Sequence, residues 1–311
     1  MNPRVDFVFK KLFGTEESKD ILIDLINSIV SEKDTVADLE LRNPYNEKQF
    51  LEDKRSVLDI KARSAQGKWY DIEMQVLSEE WFAKRSLYYW SGLYRGQIEQ
   101  GDSYSELGKA ICINILNFNH LDVEPSYHNV YKVKNVVSGE ELLDEFEIHF
   151  IELRKYDETL ADSLTEALDR WVHFLKLAGR YDSETMPEEL KATPSVNKAM
   201  RMLERLSATK EEREVYEARE KWLMDLLSTV ETKVKRGREE GRAEGIEIGK
   251  EIGKEIGKEI GLEEGIALGE DRTRRGNALR MLHAGLSVAE VAEYSGLPEE
   301  EVRRLAGDGP R

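Results

Sequence analysis

Two acidic residues and a glutamine, set in two short alternating segments, are the side chains of this sequence best suited to chemistry. Residues 58–63 alternate apolar and polar side chains, and residues 69–76 do the same. Because successive side chains of a strand point to opposite faces, this pattern predicts a β-hairpin with one apolar and one polar face. With residues 64–68 as the loop, the pairs expected on the polar face are Arg63 with Trp69, Lys61 with Asp71, and Asp59 with Glu73.

Asp59 and Glu73 are therefore expected to face each other across the two strands. Carboxylates directly opposite, roughly 5 Å apart at Cβ, destabilise a hairpin unless a cation lies between them. Gln75 follows on the same face and adds an amide that can bind or orient water. Magnesium binds through one or two carboxylates, keeps several waters and polarises phosphodiesters, so this spacing suits a hydrolytic Mg²⁺ site. The alternative interpretation is a hairpin whose charged face meets solvent.

Several segments of the chain carry a resemblance to a known family. They are residues 56–61 (SVLDIK) with 70–75 (YDIEMQ), then residues 6–14, 85–90, 101–104 and 150–155, and the glycine-rich tail with residues 285–305. The first two resemble the core motif of the PD-(D/E)XK nuclease superfamily. The whole set more closely resembles the Rpn-type recombination-promoting nucleases, described as PD-(D/E)XK family transposases. The resemblance implies an α/β restriction-endonuclease-like core, a mixed sheet flanked by helices, and divalent-metal-dependent DNA cleavage.

The resemblance also implies roles for individual residues. Asp59 matches the metal-binding aspartate of the motif, and Glu73 matches its second acid. Gln75 stands where the general motif has a lysine, a departure that is usual in the resembling subgroup. Lys61 shares the polar face and is a candidate replacement for that cation. Asp6 is either a further group near the metal or a cap of the first helix.

The charge balance limits how DNA can be bound. The 311 residues carry a formal charge of −16, which excludes a polyelectrolyte contact along the whole chain. Residues 1–116 hold 16 Lys and Arg against 20 Asp and Glu, so we expect weak, salt-sensitive binding through local contacts. The candidate phosphate contacts are Lys10, Lys11, Lys61, Lys84 and Arg85, with Lys54, Arg55 and Arg95 as further ones. Their alternative role is that of solvated surface charges.

Composition excludes several other classes of protein. A single cysteine, Cys112, excludes a disulfide framework and any zinc or iron–sulfur site built from cysteines. The sequence has no apolar run long enough for a membrane helix. Acidic residues follow Met1 too early for a signal peptide, so we expect a cytoplasmic protein without membrane contact.

Hydrophobic periodicity divides the chain into four predicted regions. Residues 1–155 contain helical segments at 18–30, which Ser18 can cap, and at 81–97, and apolar strand-like runs at 110–118 and 147–153. This order predicts an α/β sheet with helices on its faces, and the resemblance implies that this region is the nuclease-like core. Residues 156–235 show only helical spacing and predict a helical region. Residues 236–272 form a repeat, and residues 273–311 form a small helix-turn-helix-like tail.

The repeat places glycine at every fourth position from Gly237 to Gly269, mostly separated by Lys-Glu-Ile. Nine helical glycines cost about 7–9 kcal/mol relative to alanine, which outweighs the Glu–Lys pairs along the same helix. We therefore expect a partly helical spacer that self-associates, with a flexible linker as the alternative. Such pairing predicts a homo-oligomer, a dimer that doubles the contact with DNA.

The tail has the signals of two short helices. Ser287 and Glu290 predict a capping box, Gly296 a helix end, and Pro298 the first residue of the next helix. That last helix opens with three glutamates, which phosphates would repel, so packing or protein contact is favoured over DNA reading.

The interpretation favoured by the sequence is a magnesium-dependent DNA endonuclease associated with recombination or transposition. Its catalytic residues would be Asp59, Glu73 and Gln75, with Asp59 and Glu73 as metal ligands. The alternative is a catalytically weak nuclease fold that binds DNA or protein, with the tail as an assembly module.

Overall fold

The computed structural model of this protein describes residues 1–42, 59–159 and 164–307. The chain divides into two compact units, Met1–Ser228 and Thr229–Arg311. Lys54, Arg55 and the first residues of the hairpin motif, 56–58, lie outside the described residues, and so do residues 160–163 of the predicted helical region.

A six-stranded mixed sheet forms the centre of the first unit within the described ranges. The strands are β1 Leu39–Leu41, β2 Asp59–Ser64, β3 Trp69–Gln75, β4 Ala110–Leu116, β5 His128–Tyr131 and β6 Phe146–Glu152. Their order in the sheet is β1-β2-β3-β4-β6-β5. Strands β3, β4 and β6 are parallel, whereas β1, β2 and β5 join antiparallel. The predicted mixed α/β sheet is confirmed.

Helices flank this sheet and continue into the second unit. They are α1 Asp6–Phe13, α2 Lys19–Ile29, α3 Phe82–Arg95, α4 Ala167–Leu177, α5 Glu188–Lys191, α6 Pro194–Ala208, α7 Lys210–His283, α8 Val288–Ser295 and α9 Glu299–Leu305. Short 3-10 turns occur at Glu16–Ser18, Glu32–Asp34, Tyr104–Glu106, Leu153–Lys155 and Ala178–Arg180.

The two faces of the sheet carry separate cores. Alternate residues of the hairpin, Ile60, Ile72 and Met74 among them, join one large buried cluster with side chains of α1, α2, α4 and α6. The other face packs against α3, where Phe82 meets Phe150 and other apolar residues of β4 and β6. Strand β4 lies between these layers and is buried along its whole length, which explains its continuous apolar sequence.

Two strands and one cap differ from expectation. Strands β1 and β5 were not predicted, because segments of three and four residues are too short to show a periodic pattern. Helix α2 is confirmed, but Ser18 does not cap it: among the described contacts its hydroxyl lies 2.7 Å from the hydroxyl of Thr15. A neighbouring 3-10 turn therefore replaces the expected cap.

A buried charged network lies where β4 begins, away from the end of β3 that carries Gln75. The ammonium of Lys109, only 7% exposed, donates to Asp34 Oδ2 at 2.7 Å and to Glu147 Oε2 at 2.8 Å. Glu147 Oε1 lies 2.8 Å from His149 Nε2, and His149 Nδ1 lies 2.9 Å from His128 Nε2. Buried charges are tolerated only when paired in this way, so the network joins the Glu32–Asp34 turn to β4, β5 and β6.

In the second unit the glycine repeat lies within the continuous helix α7. A Cβ added at any repeat glycine would meet no atom within 4 Å among the described residues. The predicted capping box of Ser287 and Glu290 is confirmed, and Gly296 ends α8 with φ +69°. Pro298 is the N-cap of α9 and not its first residue.

The glutamates that open α9 are each paired with an arginine of the same unit. Arg303 reaches Glu299 at 2.9 Å, Arg304 reaches Glu300 at 2.7 Å, and Arg275 reaches Glu301 at 2.7 Å. Ala278, Val291, Leu297 and Val302 form the small core beneath. The helix-turn-helix interpretation of the tail stays a prediction.

Over the described residues, no helix combines the length and apolarity needed to cross a lipid bilayer.

Candidate active site

The hairpin register is the one predicted from the sequence. Strands β2 and β3 pair Asp59 with Glu73, Lys61 with Asp71, and Arg63 with Trp69. The Ser64 amide donates to the Lys68 carbonyl at 2.8 Å, which shortens the expected loop to residues 65–67. Gly67 has φ +83°, a conformation that favours glycine and explains how so short a loop closes. The backbone of Asp59 is described, but its side chain lies outside the described part of the chain.

The polar face of β3 is buried. Asp71 is 2% exposed and Glu73 is 5% exposed, because α3 packs across this side of the sheet. The alternative of an ordinary solvent-facing strand is therefore wrong at these two positions. A carboxylate removed from water must be compensated by hydrogen bonds or opposite charge.

Arg85 supplies that compensation at Glu73. Its Nη2 atom lies 3.4 Å from Glu73 Oε2 and 2.9 Å from Gln75 Oε1, and its Nη1 atom lies 2.7 Å from Glu79 Oε1. The guanidinium carbon also lies 4.7 Å from the centroid of the Phe82 ring. The cation is thus held between β3 and the first turn of α3.

Gln75 is oriented by partners at both ends of its amide. Its Oε1 accepts from Arg85, while its Nε2 donates to the Leu77 carbonyl at 3.2 Å and lies 3.4 Å from Glu79 Oε1. Because arginine offers only donors, the amide oxygen must face the guanidinium. The oxygens of Gln75 and Glu73 therefore point to the same cation.

Buried polar bonds hold α3 on the sheet. Asn114, the β4 residue in register with Glu73, donates from Nδ2 to Ser86 Oγ at 2.9 Å and to the His149 carbonyl at 3.1 Å. The indole N–H of Trp90 donates to the Ala110 carbonyl at 2.8 Å. Since Ser86 follows Arg85 directly, these bonds also set the position of the arginine.

Sequence reasoning missed the contacts of Arg85 with Glu73 and Gln75, and it missed Glu79 and Asn114. Arg85 was expected to contact phosphate, and nothing in its spacing connects it with β3. Asn114 did carry a signal, since it is a polar residue inside the otherwise apolar run 110–116.

The other predicted DNA contacts lie in different places. Lys84 lies 4.2 Å from the centroid of the Trp81 ring, on the solvent side of α3. Lys10 and Lys11 belong to α1, which packs on the opposite face of the sheet from Glu73, and Lys11 reaches Glu212 at 3.1 Å. Lys61 remains on the polar face, opposite Asp71.

The thiol of Cys112 lies close to Asp71 and Glu73, and its pKa is affected by their charges. It is buried and lies in register with Asp71. Burial raises the pKa of its thiol well above the ordinary value, and the negative charges of Asp71 and Glu73 raise it further. Burial is the main cause of the raised pKa of Cys112, and Lys61, on the same face, partly opposes the effect of the two carboxylates.

The donors of the site suit a hard cation. The carboxylate of Glu73 and the amide oxygen of Gln75 lie together, and the backbone of β2 places Asp59 opposite Glu73. Oxygen ligands of this kind are those that Mg²⁺ prefers. A set of three or more His, Cys, Asp or Glu groups able to hold a metal does not occur among the side chains that the structure describes, which do not include Asp59.

Comparison with known families matches residues 3–233 to the model for the PD-(D/E)XK nuclease family transposases. The chain belongs to this family. The resemblance inferred from the hairpin motifs is confirmed, and the mixed sheet with helices on both faces agrees with a PD-(D/E)XK nuclease fold. Searches of curated proteins and of solved structures found no significant match. Among the described residues, the guanidinium nearest to Gln75 is that of Arg85.

Proposed function

We propose that this protein is a magnesium-dependent DNA endonuclease that acts in recombination or transposition. The observation that carries the proposal is the pairing of Asp59 with Glu73 across β2 and β3, with Gln75 next on the same face. Membership of the PD-(D/E)XK nuclease family transposases supports a nuclease fold and DNA as substrate.

Asp59 and Glu73 would hold the metal, which when bound polarises the phosphodiester and lowers the pKa of a water. Gln75 would orient water or a phosphate oxygen. Arg85 would replace the missing lysine of the motif, since its guanidinium bonds to both Glu73 and Gln75. It is a positioning residue in this proposal, because the groups it contacts belong to the protein.

DNA would be held by local cations and by a second protomer. Lys84 lies on the exposed side of the helix that carries Arg85, and Lys61 lies on the polar face of the hairpin. Lys10 and Lys11 remain proposed contacts on α1. A dimer through the glycine repeat of α7 would bring two sites to one duplex, as double-strand cutting requires.

Cleavage of supercoiled plasmid, with and without Mg²⁺, tests the proposal. We expect nicked or linear products with wild type and Mg²⁺, and a loss of at least about 100-fold in Asp59→Asn and Glu73→Gln. Glu106→Gln, at an exposed glutamate outside the site, is the matched control and should cut like wild type. Intact plasmid with wild type would overturn the enzymatic function, and cutting by both site variants would overturn the residue assignment.

One observation favours a second candidate function, a catalytically weak nuclease fold that binds DNA or protein. The guanidinium of Arg85 already bonds to Glu73 and Gln75, and Gln75 replaces the motif lysine. A wild-type protein that binds DNA but leaves plasmid intact in Mg²⁺ and in Mn²⁺ would support this second function.

A further inference from the structure

Helix α3 and its N-cap residue Trp81 carry an unusual combination of exposed aromatic rings and cations. Residues 81–95 include six aromatic and three basic side chains but no acidic one, in a chain of formal charge −16. Trp81 is 59% exposed and Tyr88 is 73% exposed, although large aromatic residues usually bury their rings. A single exposed ring needs no explanation, but exposed apolar rings grouped on one surface are a feature of interaction sites.

The exposed residues lie on one face. Trp81, Lys84, Tyr88 and Arg95 are separated by three, four and seven positions, and each α-helical residue advances by about 100°, so all four fall within one stripe. All four are exposed. Trp81 and Tyr88 are about 10 Å apart along the helix axis. We call these four residues the α3 stripe.

Charge decides which class of partner fits this surface. The ammonium of Lys84 lies 4.2 Å from the centroid of the Trp81 ring, so ring and cation present one combined surface. The first turn of α3 contains no acidic residue, and the positive end of the helix dipole adds to the cations. Two glutamates directly precede the helix: Glu79 is paired with Arg85 at 2.7 Å, and Glu80 is exposed. A polyanion that also offers flat apolar faces would satisfy both components, and an unpaired nucleic-acid strand has both.

We propose that the α3 stripe binds single-stranded DNA, with bases stacked on Trp81 and Tyr88 and phosphates held by Lys84 and Arg95. Bases inside a duplex are already stacked and cannot reach these rings, so the stripe selects unpaired nucleotides. This inference rests on the proposed nuclease function, because the helix that carries the stripe also carries Arg85, which bonds to Glu73 of the candidate site. The substrate would then be DNA with a single-stranded portion, such as an end or a displaced strand.

Fluorescence anisotropy of a labelled oligothymidylate, compared with a duplex of equal length, tests the proposal. It should be measured in EDTA with wild type, and again in Mg²⁺ with Glu73→Gln, so that cleavage does not interfere. We expect tighter binding of the single strand than of the duplex. Trp81→Ala and Tyr88→Ala should each weaken single-strand binding about tenfold and change duplex binding little.

The matched controls are Trp222→Ala and Tyr294→Ala, which remove rings of similar exposure elsewhere in the chain. They should bind like wild type, whereas Lys84→Glu should weaken binding to both DNA forms. Equal affinity for single strand and duplex, or unchanged binding by Trp81→Ala with Tyr88→Ala, would overturn the inference. So would the absence of any oligonucleotide binding under both conditions, which would leave the stripe as a protein-docking surface.

The result separates this inference from the proposed function. If single-strand binding depends on Trp81 and Tyr88 but the plasmid stays uncut, the proposed nuclease function is wrong and the proposed binding site is supported. If plasmid cleavage depends on Glu73 but the protein shows no preference for single strands, the proposed single-strand binding site is wrong and the nuclease function is supported.

Discussion

The guanidinium of Arg85 donates to the amide oxygen of Gln75 across 2.9 Å. If Gln75 takes the lysine position of the PD-(D/E)XK motif, as proposed, helix α3 would supply a cation at the point where the motif has one from β3. The same guanidinium lies 3.4 Å from Glu73. In that proposal the positive charge comes from a residue ten positions later in the sequence than Gln75.

Replacement of Arg85 should lower catalysis more than DNA binding. We expect Arg85→Ala to reduce kcat about 100-fold, because Glu73 and Gln75 lose their oriented donor, and Arg85→Lys to restore part of the loss. Arg63→Ala, at an exposed arginine of the same hairpin, should leave kcat unchanged. A rise in KM with unchanged kcat would instead make Arg85 a simple phosphate contact.

Replacement of Lys109 should destabilise the first unit. Lys109→Met leaves the buried carboxylates of Asp34 and Glu147 without their shared cation. We expect it to lower the free energy of unfolding, measured with urea, by about 3–5 kcal/mol. Lys33→Met, which removes a half-exposed partner of Asp144, should cost less than about 1 kcal/mol. Equal costs for the two variants would show that the buried network does not contribute as described.

Acidification should destabilise the fold through His128 and Glu147. Burial and the nearby His149 lower the pKa of His128 to about 4. Burial alone would raise the pKa of Glu147, but hydrogen bonds from His149 and Lys109 outweigh it and bring the value to about 2. Both folded pKa values lie below the unfolded ones, so the unfolded chain binds more protons and stability falls with falling pH.

The stability contributed by His128 should be lost as the pH falls from about 6.5 to about 4. The stability contributed by Glu147 should be lost as the pH falls from about 4.5 to about 2. Urea midpoints of wild type should fall across the first window, and His128→Asn should flatten that fall. His283→Asn, at an exposed histidine, should follow wild type. Identical pH profiles for His128→Asn and wild type would contradict the assignment.

The single thiol should be unreactive in the folded protein. Cys112 is buried, and burial together with Asp71 and Glu73 raises its pKa, so thiolate is scarce at neutral pH. Ellman's reagent should give no signal in native buffer and one equivalent of thiol in denaturant. Rapid stoichiometric reaction of the native protein would place Cys112 at the surface and contradict the packing of α3.

Alanine at the repeat glycines should strengthen helix α7. Gly253→Ala with Gly257→Ala should raise the stability of the helical unit by about 1 kcal/mol per site, because the added Cβ atoms meet no described atom. Far-UV circular dichroism during heating measures this. Gly296→Ala is the contrasting control and should destabilise α8, since φ there is +69°. Sedimentation of the double variant tests the proposed dimer. If two copies pack through the glycine groove, the added Cβ atoms should abolish the dimer.

The sequence alone determined the hairpin and its register. Side chains alternate with a period of two, and a register shifted by one residue would turn the apolar set of β2 to the wrong face. Glu73 opposite Asp59, the buried strand β4 and the capping box of α8 all follow from such local patterns. Local periodicity therefore predicted an α/β sheet, most of its helices and the pairing of the candidate acids, whereas the mixed character of the sheet was expected only from the family resemblance.

Only the tertiary structure decided what surrounds those acids. Periodicity tells which side chains share a face but not which helix covers it, so the burial of Glu73 and its contact with Arg85 depended on how α3 packs. The buried network of Lys109, Asp34 and Glu147 likewise joins residues up to 113 positions apart in the sequence, counted from Asp34 to Glu147. Long-range packing brings such groups together, and no local pattern encodes it.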